Sequence, residues 1–315
     1  MRIIVTGGLG FIGSNFITWL LENEKDVVVL NIDRGDYCSN IHNVLPEPRY
    51  SYIKGDITDE FHMKTIFDFF KPEIVIHYAA QSHVDNSFSS PLQFTKDNIL
   101  GTHVLLHVSK EYNCLKKFIH MSTDEVYGEV GEADISDEKS LLDPTNPYAA
   151  TKAGAEFLVR SYGHSFNFPY VIVRCNNVYG PKQYSEKLIP RFITNMISGK
   201  PCLLHGEGTS RRNFIYVDDV SRAMYIILQK GLRGHIYNIG TSDEYSVQDI
   251  FKILKKLINP DAVFEHVEDR PFNDSRYCID STELRKLGWR QTVDFKEGIQ
   301  KTIEWYNHKP MSFMS

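Results

Sequence analysis

Two carboxylates stand side by side at Asp124 and Glu125, in the stretch STDEVYG. They follow an apolar run, KKFIHMS, that reads as a strand. Side chains alternate across a strand, so both acids can serve one reaction only if the strand ends at Thr123. If residues 124–127 then turn helically, successive side chains fan by roughly 100° instead of opposing. Adjacent carboxyls suit paired acid–base work, because one ionised group raises the pKa of its neighbour and splits the pair into a base and an acid. The bland alternative is an Asp-Glu pair that only favours a helix start. A second constellation lies in NPYAATKAGAEFL. Asn146 can cap a helix there and Pro147 suits its first position, which puts Tyr148 and Lys152 at i and i+4 on one face. A tyrosine base needs its pKa of about 10 brought near 7, roughly 4 kcal/mol, and a neighbouring ammonium contributes to that. On an isolated helix the same pair is an amphipathic Tyr beside a snorkelling Lys.

A third feature is the loop TGGLGFIG (6–13), between a first strand and a first helix. Gly7, Gly10 and Gly13 let the backbone turn tightly and approach a pyrophosphate at a helix N-terminus. Asp33 ends the second strand, where an acid can bind adenosine ribose hydroxyls. A carboxylate there repels a 2′-phosphate, so NAD is favoured over NADP, although Arg34 next to it is a basic group that can accommodate such a phosphate. Asp56, in GDI after the third strand, either reads the adenine edge or caps a turn before a helix.

These groups need a scaffold. Short Val/Ile runs at 2–6, 27–33, 50–55, 74–80, 117–123 and 170–175 alternate with helical segments. One of those segments is the long stretch PLQFTKDNILGTHVLLHVSKEY. The pattern predicts a parallel sheet covered on both faces. After about residue 175 the alternation breaks into loops rich in Pro, Gly and charge, the texture of a smaller capping domain, with HIYNIG (235–240) returning as a further strand of the main sheet. The 315 residues carry a net charge of −5 and no dense Lys/Arg run, which argues against a nucleic-acid partner. No apolar stretch approaches a membrane span, and the N-terminus lacks the regions of a signal peptide. Five scattered cysteines without CxxC spacing read as reduced thiols in a cytoplasmic setting and not as a metal site; no metal is expected.

With these stretches in hand, the chain resembles the extended short-chain dehydrogenase/reductase superfamily and, within it, the nucleotide-sugar 4,6-dehydratases. TGGLGFIG, GDI, HYAAQSHVDNS, STDEVYG, NPYAATKAGAE, NNVYGPKQYSEKLIP, RRNFIYVDD, YNIG and DRPFNDSRY carry the likeness over residues 1–305. The glycine and YxxxK motifs mark only the superfamily, whereas epimerase and decarboxylase relatives lack the Asp-Glu pair of STDEVYG. The resemblance implies an α/β fold, a Rossmann-type doubly wound parallel sheet with a smaller C-terminal substrate-binding domain. Residues 1–174 plus about 211–240 would bind NAD, and about 175–210 and 241–310 a sugar nucleotide. Phe11, Ile12, Ile57, Ala79 and Ala80 would join the glycines, Asp33, Asp56, Tyr148 and Lys152 around a tightly held NAD.

The resemblance also implies the catalytic roles. Tyr148 would take the proton of the sugar C4 hydroxyl, with Thr123 hydrogen-bonded to that oxygen. Glu125 would remove the C5 proton, and a protonated Asp124 would supply the departing C6 hydroxyl. Ser82, Asn177, Glu186, Lys187 and Leu188 would contact the sugar nucleotide, with Arg212, Arg270 and Asn238 on its diphosphate. Guanidinium forks suit phosphate oxygens, although each Arg taken alone reads more readily as a surface ion pair. QSHVDNS, NNVYGP and RPFNDSRY look like the eukaryotic branch. UDP-glucose is therefore the first expectation for the substrate and dTDP-glucose the second. A 4-epimerase and a catalytically dead NAD-sensing protein are the competing classes. Relatives pair two helices per subunit, so segments 92–111 and 148–163 are expected to build a homodimer.

Overall fold

The computed structural model describes residues 1–112, 114–267, 272 and 274–308. The apolar runs form β1 (Arg2–Thr6), β2 (Val28–Asp33), β3 (Tyr50–Lys54), β4 (Ile74–His77), β5 (Lys117–Thr123) and β6 (Tyr170–Cys175). Between them lie α1 (Phe11–Asn23), α2 (Glu60–Phe70), α3 (Val84–Ser89), α4 (Pro91–Phe94), α5 (Gly101–Lys110) and α6 (Pro147–Phe166). The remainder contains β7 (Asn177–Tyr179), α7 (Leu188–Ile197), β8 (Cys202–His205), β9 (Arg211–Tyr216), α8 (Val217–Lys230) and β10 (Ile236–Ile239). It ends with β11 (Glu244–Ser246), α9 (Val247–Ile258), β12 (Phe264–Val267), α10 (Thr282–Lys286) and α11 (Phe295–Asn307).

Seven strands make one parallel sheet in the order β10-β6-β5-β4-β1-β2-β3. This is the doubly wound arrangement the alternation predicts. Phe16, Ile17 and Leu20 of α1 pack with Val220, Met224 and Ile227 of α8 on one face. Met63, Ile66 and Phe67 of α2, Leu105 and Leu106 of α5 and Val159 of α6 cover the other. Each such side chain, taken out of water, contributes about 1.5–3 kcal/mol. Helices on both faces explain why β4 and β6 are buried at every residue, and why edge strand β3 is not. The chain reverses direction about β1, between β2 and β4, and ligands bind at the carboxyl ends of strands around such a switch point.

A smaller lobe holds a three-stranded sheet, β11-β9-β7, and a two-stranded one, β12-β8. Its core joins Phe192 and Ile193 of α7, Ile250 and Leu254 of α9, and Phe295 and Ile299 of α11. The return to the main sheet comes later than about residue 211. β9 pairs with β7 and β11, so α8 is the first element back and β10 the strand it delivers. The long helical stretch from Pro91 also differs from its expected form. Residues Thr95–Leu100 make a π-helical turn between α4 and α5. No helix among the described residues is long and apolar enough to cross a membrane.

Behind the carboxyl ends of β5 and β6 a buried ion pair ties the elements together. Arg174 bonds Glu156 of α6 through Nε at 3.1 Å and Nη2 at 2.6 Å, and donates through Nη1 to the Tyr127 hydroxyl at 2.8 Å. Both charges are sealed from solvent. Removing one partner would leave the other uncompensated, which costs about 3–5 kcal/mol in buried pairs.

Candidate active site

β5 does end at Thr123. The next residues, Asp124–Tyr127, form a single 3-10 turn whose N-cap is Thr123, with the Thr123 hydroxyl accepting from the Glu125 N–H at 3.3 Å. The two neighbouring acids therefore do not oppose one another. Glu125 lines a cavity of about 320 Å³ that runs along the carboxyl ends of the strands. Asp124 lies just behind that wall, 1% exposed. It accepts from Asn176 Nδ2 at 2.8 Å and from the Thr123 hydroxyl at 3.2 Å.

The partners of the two acids differ, and so do their electrostatics. Burial, and then the charge of Glu125, push the Asp124 carboxyl up to about 7, against the hydrogen bond from Asn176. Glu125 is also raised by burial, while the hydrogen bond from Asn146 and the charge of Arg212 oppose the rise. Asn146 does two jobs with one amide. Its Oδ1 caps α6 by accepting from Ala149 N–H at 2.9 Å, and its Nδ2 donates to Glu125 Oε2 at 3.1 Å. Asn176 likewise uses its other end, accepting from the Thr241 N–H at 3.0 Å. The sequence reading took Asn146 for a cap alone and passed over Asn176. A side chain that caps a helix shows no outward mark of a second bond.

Asn146 and Pro147 start α6 as expected. Tyr148 and Lys152 then face the cavity one turn apart. The Lys152 ammonium donates to the Met121 carbonyl of β5 at 2.7 Å, and burial lowers it to about 8. Burial and the Glu125 charge hold the Tyr148 phenol above its usual value, and a hydrogen bond with Thr123 opposes them. Lys152 therefore does not by itself bring the phenol toward neutrality.

At the other end of the cavity the glycines fit a dinucleotide by what they exclude. Gly7 has φ +74°, and a Cβ on it would stand 2.6 Å from the backbone nitrogen of Ala79. A Cβ on Gly13 would stand 2.6 Å from the Gly7 carbonyl. Gly10 is the N-cap of α1, whose first turn carries no acid, which leaves its N–H groups to an anion. Asp33 holds the loop by accepting from Leu9 N–H, Gly35 N–H and Ser39 Oγ at 3.0, 2.9 and 2.9 Å. A carboxylate has about four acceptor sites, so one remains toward the cavity it lines. Asp56 lines the cavity and caps the turn after β3, accepting from Thr58 N–H at 2.9 Å. Phe11, Ile12, Ile57, Ala79 and Ala80 lie along the same wall.

The expected sugar-nucleotide contacts divide. Ser82, Asn177, Glu186 and Lys187 line the cavity. Lys187 Nζ donates to the Ser82 carbonyl at 2.7 Å, and Tyr37 donates to Glu186 at 3.0 Å, so the two lobes touch across the mouth. Leu188 begins α7 and packs on the core of the small lobe instead. Asn238 is placed differently from the expectation. It is fully buried, its Oδ1 accepting from Tyr127 at 2.9 Å and its amide reaching the Ser136 carbonyl. That makes it an anchor between β10 and the 3-10 turn and not a diphosphate contact. Arg212 stands over the Tyr277 ring at 4.5 Å and donates to the Asp274 carbonyl at 2.8 Å, outside the cavity wall. Arg270 lies outside the described residues.

Comparison with known proteins agrees with this geometry. The GDP-mannose 4,6 dehydratase family matches residues 4–302. A trifunctional UDP-glucose 4,6-dehydratase/UDP-4-keto-6-deoxy-D-glucose 3,5-epimerase/UDP-4-keto-L-rhamnose-reductase of Arabidopsis thaliana is 46% identical over 98% of this chain and 48% of its own. This chain thus spans about half the length of that plant relative. The dTDP-D-glucose 4,6-dehydratase of Homo sapiens is 46% identical over 97% of this chain and 89% of its own. The dTDP-glucose 4,6-dehydratase DesIV of Streptomyces venezuelae, solved with NAD bound, superposes with a TM-score of 0.95 at 35% identity, covering 100% of this chain and 99% of that one. A match over nearly the whole sequence, on the sheet and site just described, shows that the chain belongs to the GDP-mannose 4,6 dehydratase family.

Proposed function

We propose that the protein is an NAD-dependent nucleotide-sugar 4,6-dehydratase that converts UDP-glucose to UDP-4-keto-6-deoxyglucose, with dTDP-glucose as the alternative substrate. One observation carries the reading. Glu125 faces the cavity beside Tyr148, while Asp124, next to it in sequence, is held behind the wall with its proton affinity raised. Elimination of water needs a base at C5 and an acid at the C6 oxygen, two carboxyls with separated pKa values. A 4-epimerase needs neither.

The residues that fit NAD are Gly7, Gly10, Gly13 and Asp33, with Tyr148 and Lys152 beside the reacting end. When bound, NAD supplies an acceptor that takes hydride from C4 of the sugar and returns it at C6, and its oxidised ring brings a positive charge near Tyr148. Tyr148 accepts the C4 hydroxyl proton, and Thr123, which lines the same cavity, positions that oxygen. The 4-ketone acidifies the C5 proton. Glu125, steadied by Asn146, removes it, and Asp124 gives its proton to the departing C6 hydroxyl. Lys152, clamped on Met121, adds positive charge below the phenol without becoming a proton carrier itself.

The test is to incubate the protein with UDP-glucose or dTDP-glucose without added reductant and to weigh the product. Loss of one water is the expected result. An isobaric product would indicate epimerisation, and no turnover with either sugar would favour a binding protein. The ratio of the two turnover rates assigns the base.

Exposed Leu92, Leu100 and Phe157 lie on the outer surface of the expected pairing segments, which supports a homodimer. A monomer by light scattering at micromolar concentration would remove that assignment. The five free thiols fit a reducing, cytoplasmic compartment.

A further inference from the structure

Arg34 follows Asp33 at the carboxyl end of β2, where a basic side chain can take the 2′-phosphate of a phosphorylated dinucleotide. Its guanidinium is already committed to carboxylates. Nε donates to Asp36 at 2.9 Å, Nη1 and Nη2 donate to Asp97 at 3.0 and 2.8 Å, and Nη1 approaches Asp56 at 3.3 Å. The Gln81 amide braces the two main partners, at 3.3 Å from Asp36 and 3.0 Å from Asp97. All of these residues line the end of the cavity next to Asp33. Three carboxylates meet this one guanidinium, and Asp33 lines the same corner, so the corner is negative overall.

Asp97 lies in the π-helical turn, where it and its neighbour Asn98 are both buried. Asn98 holds the Gln81 backbone at both ends, accepting from its N–H at 2.8 Å and donating to its carbonyl at 3.0 Å, and donates to Thr151 of α6 at 2.9 Å. Asp97 is thereby fixed, and Arg34 with it. An Arg whose fork is fully used by fixed acceptors cannot swing to a new anion without stranding a buried carboxylate.

We propose that Asp36 and Asp97 are specificity-determining residues, which hold Arg34 away from the adenosine ribose and so make the site accept NAD and reject NADP. The proposal rests on the reading of this cavity as a dinucleotide site. It adds to the role of Asp33: the rejection is built from a neighbour that could have served the phosphate and is kept from doing so.

The experiment expresses the full chain in a host that contains both dinucleotides. Bound nucleotide released on denaturation is identified by mass spectrometry, and NAD⁺ and NADP⁺ are compared by the shift each gives in thermal unfolding. The wild-type protein is expected to carry NAD(H). In Asp36→Ser/Asp97→Asn the NADP-to-NAD ratio is expected to rise by at least about tenfold, what one recovered charge-assisted hydrogen bond is worth. Asp36→Ser alone, on the more exposed side of the clamp, should move the ratio in the same direction and decides the matter if the double variant does not fold. An unchanged ratio in a folded variant overturns the proposal, as does wild-type protein that carries NADP(H) as readily as NAD(H). A wild-type protein that binds neither dinucleotide overturns the reading of the cavity itself.

Discussion

Glu125→Gln is expected to oxidise the sugar at C4 and stop there. The amide keeps the size of the side chain but cannot accept the C5 proton. General-base contributions are typically about 10²–10⁴-fold, and water loss should fall by that range. Because Tyr148 and Lys152 are untouched, substrate should still produce the near-ultraviolet absorbance of reduced nicotinamide in one turnover, and that absorbance should persist. Dehydration at the wild-type rate would remove Glu125 as the base. The same pair gives the unaltered enzyme a pH signature. Asp124 must start protonated, and burial pushes its carboxyl up to about 7, so the rate of water loss should decline by about tenfold per unit well above that pH. The sign follows from the group being an acid whose affinity for its proton is raised in the fold. On the acid side the rate should fall as Glu125, itself raised by burial, takes up a proton; a rate that stays level on the alkaline side would remove Asp124 as the acid.

Tyr148→Phe should fail one step earlier. It deletes the oxygen that takes the C4 proton and leaves the ring that fills the site, so the fold is kept while oxidation falls by about 10²–10⁴-fold. No reduced nicotinamide should accumulate on mixing with the sugar nucleotide, in contrast to Glu125→Gln. The pH dependence is informative here as well. Burial and the Glu125 charge raise the phenol, so its activation depends on charge brought by the bound cofactor. In the intact enzyme oxidation should quicken as pH rises, until deprotonation of Tyr148 is complete. A Tyr148→Phe protein that oxidises its substrate normally would show that another group takes the proton.

The sheet was legible in the sequence because its inner strands are buried on both faces, so the stretches VIV (171–173) and IVI (74–76) carry no polar interruption. The glycine loop was legible for a related reason. Gly7 and Gly13 are places where a Cβ would meet backbone, and few sequences place glycines at such spacing without cause. The change from strand to 3-10 turn at Thr123 could be inferred only as a condition for two adjacent acids to cooperate, and the structure meets that condition. What escaped were the roles set by long-range contacts. Asn238 pairs with Tyr127, 111 residues away, and nothing local distinguishes an amide that binds phosphate from one that anchors a turn. The π-helical turn was hidden inside a good helical pattern, because its extra residue changes register without changing composition. The late return to the main sheet was missed for the same reason. RRNFIY has the pattern of a strand, and pattern does not say which sheet it will join.

The path of the chain between its two lobes has a consequence for how the molecule can be taken apart. After β6 the polypeptide builds part of the small lobe, comes back through α8 and β10, leaves again for β11, α9 and β12, sets α10 against β10, and finishes with α11 on the small lobe. No single cut separates one lobe from the other, since a break anywhere between β7 and α11 divides elements that share a core. Neither half can be excised and expressed alone. Unfolding should proceed as one event, and any additional module joined to this chain is accommodated at a terminus and not at the seam.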